Sequence, residues 1–85
     1  MKSILIVDDE KNILKTLALG LRSEGYAVQT AANGQEARQV FTAMMPDLVL
    51  LDIYLPDASG LELLTEFKHQ APETIVIVMS GHGTV

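Results

Sequence analysis

Ile4-Leu5-Ile6-Val7 is a run of branched apolar residues closed by two acids, and Leu48-Val49-Leu50-Leu51 repeats the arrangement with one acid, Asp52. Runs this short, apolar on both sides of the pleat and ended by charge, predict strands buried on both faces, as in a parallel sheet. Ile75-Val76-Ile77-Val78-Met79, after Pro72, is a further apolar run that reads as a strand. Tyr26-Ala27-Val28-Gln29-Thr30-Ala31 alternates more than it runs, which predicts a less buried strand suited to a sheet edge.

Between these runs the apolar period lengthens to that of a helix. From Lys11 to Arg22 the set Ile13, Leu14, Leu17, Ala18 and Leu21 forms one stripe, with Lys11, Lys15 and Arg22 elsewhere on the wheel. Gly25 is placed to stop this helix, and Gly20 inside it costs about 1 kcal/mol relative to Ala unless close packing needs its small size. Asn33 with Glu36 has the form of a capped helix start, continued by Ala37, Val40, Phe41 and Met44 and ended by Pro46. Ser59 with Glu62 repeats the signature; Leu61, Leu64 and Phe67 are expected to face inward, and Pro72 marks the end.

The order is therefore β-α-β-α-β-α-β. Crossovers of one helix each predict an α/β fold, a doubly wound open parallel sheet. Nothing reads as a linker, repeat or low-complexity tract, so residues 1–85 are expected to form one domain. In such sheets ligands bind beyond the carboxyl ends of the strands, where the strand order reverses.

Composition narrows the classes of function. With 6 Lys+Arg against 11 Asp+Glu the net charge is −5, and the few basic residues make no stripe for nucleic acid or anionic membrane. The absence of cysteine excludes a disulfide framework, a thiolate metal site and cysteine catalysis, and favours a reducing, cytoplasmic setting. No apolar run approaches a membrane span, and acids cut short the N-terminal run where a signal peptide would continue.

At the predicted strand ends stand Asp8 and Asp9, Asp52, and Ser80. Carboxylates gathered in one crevice need protonation or a cation, and an oxygen-only donor set suits a hard ion such as Mg²⁺. One carboxylate could serve as nucleophile, since carboxylates form acyl-phosphates and phosphoryl transfer asks mainly for position and charge stabilisation. Ser80 could donate a hydrogen bond there. Plainer roles also exist: Asp9 as a helix cap, Asp52 as a solvated strand end, Ser80 before Gly81 as turn chemistry, and Asp57, Ser59 and Gly60 as turn and cap residues. His69 and His82 have no ligand spacing. Acids on two different strand ends are what independent capping does not require.

Three further readings remain open on the residues alone. A Mg²⁺-dependent phosphohydrolase with an Asp nucleophile would carry a second acid two residues later, where this chain has Tyr54. A flavodoxin-like cofactor binder would need a first loop rich in Gly, Ser and Thr, where this chain has Asp8-Asp9-Glu10-Lys11. An inert dimerisation or docking fragment is the third.

The chain resembles the receiver domains of bacterial two-component response regulators over its whole length. The resemblance rests on Ile4-Leu5-Ile6-Val7-Asp8-Asp9-Glu10, on Pro46-Asp47-Leu48-Val49-Leu50-Leu51-Asp52, on Pro56 and Gly60, and on Ser80-Gly81. It implies a flavodoxin-like order for the sheet. It implies that Asp52 is the phosphoacceptor, served by a sensor histidine kinase. It implies that Asp9, Asp52 and the Tyr54 backbone carbonyl ligate Mg²⁺, that Asp8 holds the ion largely through water, and that the Ser80 hydroxyl bonds the phosphoryl group. It makes the chain a regulatory module rather than an enzyme, with at most self-phosphorylation and self-dephosphorylation. Ser80-Gly81-His82-Gly83-Thr84 is similar to receivers that precede ATPase and DNA-binding domains in transcription activators. Receivers continue past the fourth strand by roughly 35 residues, a helix, a strand and a helix, carrying a lysine and an aromatic switch residue. No residue here takes either role, so the chain reads as truncated. Ile75 to Met79 is then expected to be an exposed apolar edge through which the chain pairs or swaps elements with another copy, or aggregates.

Overall fold

The computed structural model describes residues 2–79. Four strands and three helices alternate: β1 (Ser3–Val7), α1 (Lys11–Ser23), β2 (Ala27–Ala31), α2 (Gly34–Met44), β3 (Leu48–Asp52), α3 (Gly60–Gln70) and β4 (Ile75–Met79). All strand pairs are parallel, in the order β2-β1-β3-β4, so the alternating strand does lie at an edge. The order reverses between β1 and β3. Their carboxyl ends are in step, Val7 opposite Leu51, which sets Asp8 and Asp52 side by side.

The strictly alternating pleat sends β1 and β3 side chains into two apolar layers. Leu5, Val7, Val49 and Leu51 meet α2 and α3 through Ala37, Phe41, Leu63 and Phe67, and the Phe41 and Phe67 rings stack at 4.1 Å between centroids. Ile4 and Ile6, with Val28 of β2, meet Leu14 and Ala18 of α1 on the opposite face. Among the described residues, α1 is the helix packed on that second face. Leu48 and Leu50 there are half-buried, while Ile75 and Ile77 of β4 are 61% and 48% exposed, as the apolar edge expected from the sequence requires.

Two helical faces differ from expectation. In α3 the inward residues are Leu63 and Phe67 with Leu64 at the flank, and Leu61 is exposed. Ser59 caps the helix through Leu61 N and Gly60 packs on the preceding loop, which fixes the helical phase; Leu61 then points about 200° away from Leu63. In α1, Leu14 and Ala18 carry the contact and Ile13 is left exposed. Gly25 does terminate α1, with φ +99° and its N–H donating to the Arg22 carbonyl.

Gly20 has no packing reason. Its Cβ position faces open space, so Gly20→Ala is expected to stabilise the chain by about 0.5–1 kcal/mol, seen as a higher urea midpoint at unchanged slope. A lowered midpoint would refute that account.

Candidate functional site

Asp8 and Asp9 follow β1 directly, and Asp52 is the last residue of β3. Asp8 is 3% and Asp52 1% exposed, whereas Asp9 faces solvent. The three carboxylates each bring an oxygen to within 4.8 Å of the others. Both buried acids use one local device: Asp8 Oδ1 accepts the Glu10 N–H at 2.9 Å and Asp52 Oδ1 accepts the Tyr54 N–H at 3.1 Å. Such a turn aims a carboxylate along the strand end while satisfying part of its hydrogen-bonding demand.

The cap of α1 falls to Glu10, whose side chain accepts the Asn12 N–H. Asp9 is therefore not the cap that its position suggested, and its carboxylate belongs to the cluster. Tyr54 stands near the start of the loop 53–59, 58% exposed and with its backbone bridged to Ser59. Ser80 and His82 lie outside the described residues, and His69 is exposed on α3.

The donor set fits a hard divalent cation. Two buried carboxylates and one exposed one, all oxygen and within a few ångströms, repel one another when ionised unless a proton or a positive charge lies between them, and magnesium is commonly held by few carboxylates with room left for water and phosphate.

Two residues given turn and cap roles by sequence, Asp57 and Gly60, make contacts beyond their own turn. Asp57 accepts the N–H groups of Gly34 and Gln35 at the start of α2, at 2.6 and 3.0 Å. These bonds, the Gly34 bond foremost, hold its carboxyl below the usual carboxylate range. Its partners lie more than 20 residues upstream, so no local pattern announces the contact. Gly60 donates its N–H to the Ile53 carbonyl at 2.8 Å and lies directly on the backbone of Asp52 and Ile53. The signals available in the sequence were a glycine just inside a capped helix start and its place among the residues that carry the receiver resemblance.

The sequence profile of the response regulator receiver domain matches residues 4–85. Among curated relatives, the transcriptional regulatory protein GlrR of Escherichia coli K12 is 38% identical over 82 residues, and the nitrogen assimilation regulatory protein NtrX of Azorhizobium caulinodans 43% over 84. Each alignment covers 96% of this chain and 18% of the relative, so the chain spans about a fifth of these proteins. Among solved structures, the response regulator protein TrrA of Thermotoga maritima, in complex with Mg²⁺-BeF, superposes with a TM-score of 0.86 at 43% identity, covering 96% of this chain and 73% of that one.

Proposed function

The chain belongs to the response regulator receiver family, and from that premise we propose that it is the phosphoacceptor module of a two-component system, taking a phosphoryl group onto Asp52 in a Mg²⁺-dependent reaction. The observation that carries the proposal is the convergence of Asp8, Asp9 and Asp52 at the strand-order reversal, with Asp52 almost wholly buried.

Asp8, Asp9 and Asp52, with the Tyr54 carbonyl, are the residues assigned to the cation. A bound Mg²⁺ would neutralise the carboxylates and draw charge from the phosphoryl oxygens. Asp52 is fixed by the Tyr54 N–H through one oxygen, leaving its carboxylate oriented as the acceptor. Attack by a carboxylate oxygen makes the P–O bond of an acyl-phosphate as the donor's P–N bond breaks, in the case of a phosphohistidine, and the leaving imidazole takes a proton from solvent. Ser80 is assigned the hydroxyl that bonds the attached phosphoryl group.

Receiver domains are regulatory modules, and the relatives are transcription regulators. A sensor histidine kinase as phosphoryl donor and an ATPase plus DNA-binding output are the partners proposed for the longer protein. Residues 1–85 act as one receiver unit in this reading, in the cytoplasm; no helix among the described residues is long and apolar enough to cross a membrane. The exposed Ile75 and Ile77 supply the apolar surface for self-association.

Incubation with Mg²⁺ and acetyl phosphate, followed by intact-mass spectrometry, is expected to add one phosphoryl group that Asp52→Asn does not take up. No gain in the parent chain, or an equal gain in the variant, overturns the assignment.

A further inference from the structure

The tip of the loop 53–59 is tied to the start of α2, more than 20 residues away in the chain. Asn33 caps α2 from within its own segment by accepting the Glu36 N–H at 2.8 Å. Asp57 adds a second cap from outside, taking the two N–H groups at the very start of α2, those of Gly34 and Gln35. An ionised carboxylate is well placed at a helix N-terminus, where it meets both unsatisfied N–H groups and the positive end of the dipole.

The contact is also fitted sterically. A Cβ at Gly34 would lie 2.8 Å from the Ala58 Cβ and 3.0 Å from Asp57 Oδ1, so only glycine admits the loop this closely. At the root of the loop Gly60 rests on the Asp52 and Ile53 backbone. The segment is thus clamped at root and tip, and between the clamps lies Tyr54, whose N–H holds Asp52 Oδ1.

We propose that Asp57 is a positioning residue for the acidic cluster, latching the loop 53–59 to the start of α2 and thereby holding Asp52 and Tyr54 in the arrangement that binds a cation. This rests on the cation site proposed above. Because coupling between two sites is reciprocal, a cation at the cluster tightens the latch, and the start of α2 registers the state of the Asp52 loop.

The test is Mg²⁺ titration of the ¹⁵N-labelled 85-residue chain, followed by NMR, beside Asp57→Ala, Asp57→Asn and Asp47→Ala. Asp47 is the matched control: its exposed carboxylate anchors the Ser3 N–H at 2.9 Å, at the opposite ends of the strands. Magnesium affinity is expected to fall about tenfold in Asp57→Ala, the low end for loss of an outer support to a metal ligand. It falls less in Asp57→Asn, which keeps one acceptor, and is unchanged in Asp47→Ala. Amide exchange at Gly34 and Gln35 slows on Mg²⁺ addition in the parent chain and not in Asp57→Ala. If Asp57→Ala does not fold, Asp57→Asn carries the comparison. Parent-like affinity in both Asp57 variants, or an equal loss in Asp47→Ala, overturns the latch alone. A parent chain whose Asp8, Asp9 and Asp52 amides ignore Mg²⁺ removes the cation site, and the latch with it.

Discussion

Gly60→Ala is expected to destabilise the chain by about 3 kcal/mol, the upper part of the usual range for overpacking. The stability of a domain this short is about 5 kcal/mol in total, so a substantial fraction of its stability is lost. The cause is space, not backbone conformation, because Gly60 has no positive φ. A Cβ there would overlap the Asp52 carbonyl oxygen and lie 2.7 Å from the Ile53 Cα. Both are backbone atoms, which cannot rotate away as a side-chain end can. The start of α3 cannot retreat freely either, since Gly60 N–H is bonded to the Ile53 carbonyl and Ser59 caps the helix. Relief must come from moving the Asp52 backbone itself, so Mg²⁺ affinity falls with stability. Urea unfolding by circular dichroism, beside Gly20→Ala, gives opposite shifts for two glycines in helices. A Gly60→Ala midpoint equal to that of the parent shows that the loop yields without cost.

The contrast between those glycines marks where the sequence was legible. The runs Ile4–Val7 and Leu48–Leu51, branched, four residues long and closed by acids, read as buried strands with the acids at their ends, so β1, β3 and the placing of Asp8, Asp9 and Asp52 at strand ends were legible in the pattern. Asn33 and Ser59 announced the helix starts because capping is a local interaction. Helical phase was less legible. Leu61 and Leu63 are both leucines, and which one faces the sheet is decided by the packing of Gly60 on a backbone that the pattern does not show. The Asp57 contact with Gly34 was invisible for the same reason: it joins segments brought together only by the completed sheet.

Asp52→Asn is expected to move stability in opposite directions with and without magnesium. Two unit charges about 5 Å apart at an effective dielectric of about 20 repel by about 3 kcal/mol, and Asp52 contributes to two of the three carboxylate pairs in the cluster. Solvent at the exposed Asp9 and the N–H groups of Glu10 and Tyr54 offset part of this. In EDTA the near-isosteric amide therefore raises stability by about 1–3 kcal/mol. Saturating cation reverses the ranking: a ligand at about one hundred times its dissociation constant adds about 2.7 kcal/mol to a chain that binds it, and the variant forfeits most of that gain. Asp9→Ala, which removes an exposed member, is expected to weaken Mg²⁺ binding without unfolding the domain. Melting curves of the three chains in EDTA and in Mg²⁺ check this directly. An Asp52→Asn chain less stable than the parent in EDTA shows that Asp52 is held by more than it is repelled. The strand ends would then be a structural carboxylate network and not a site that waits for a cation.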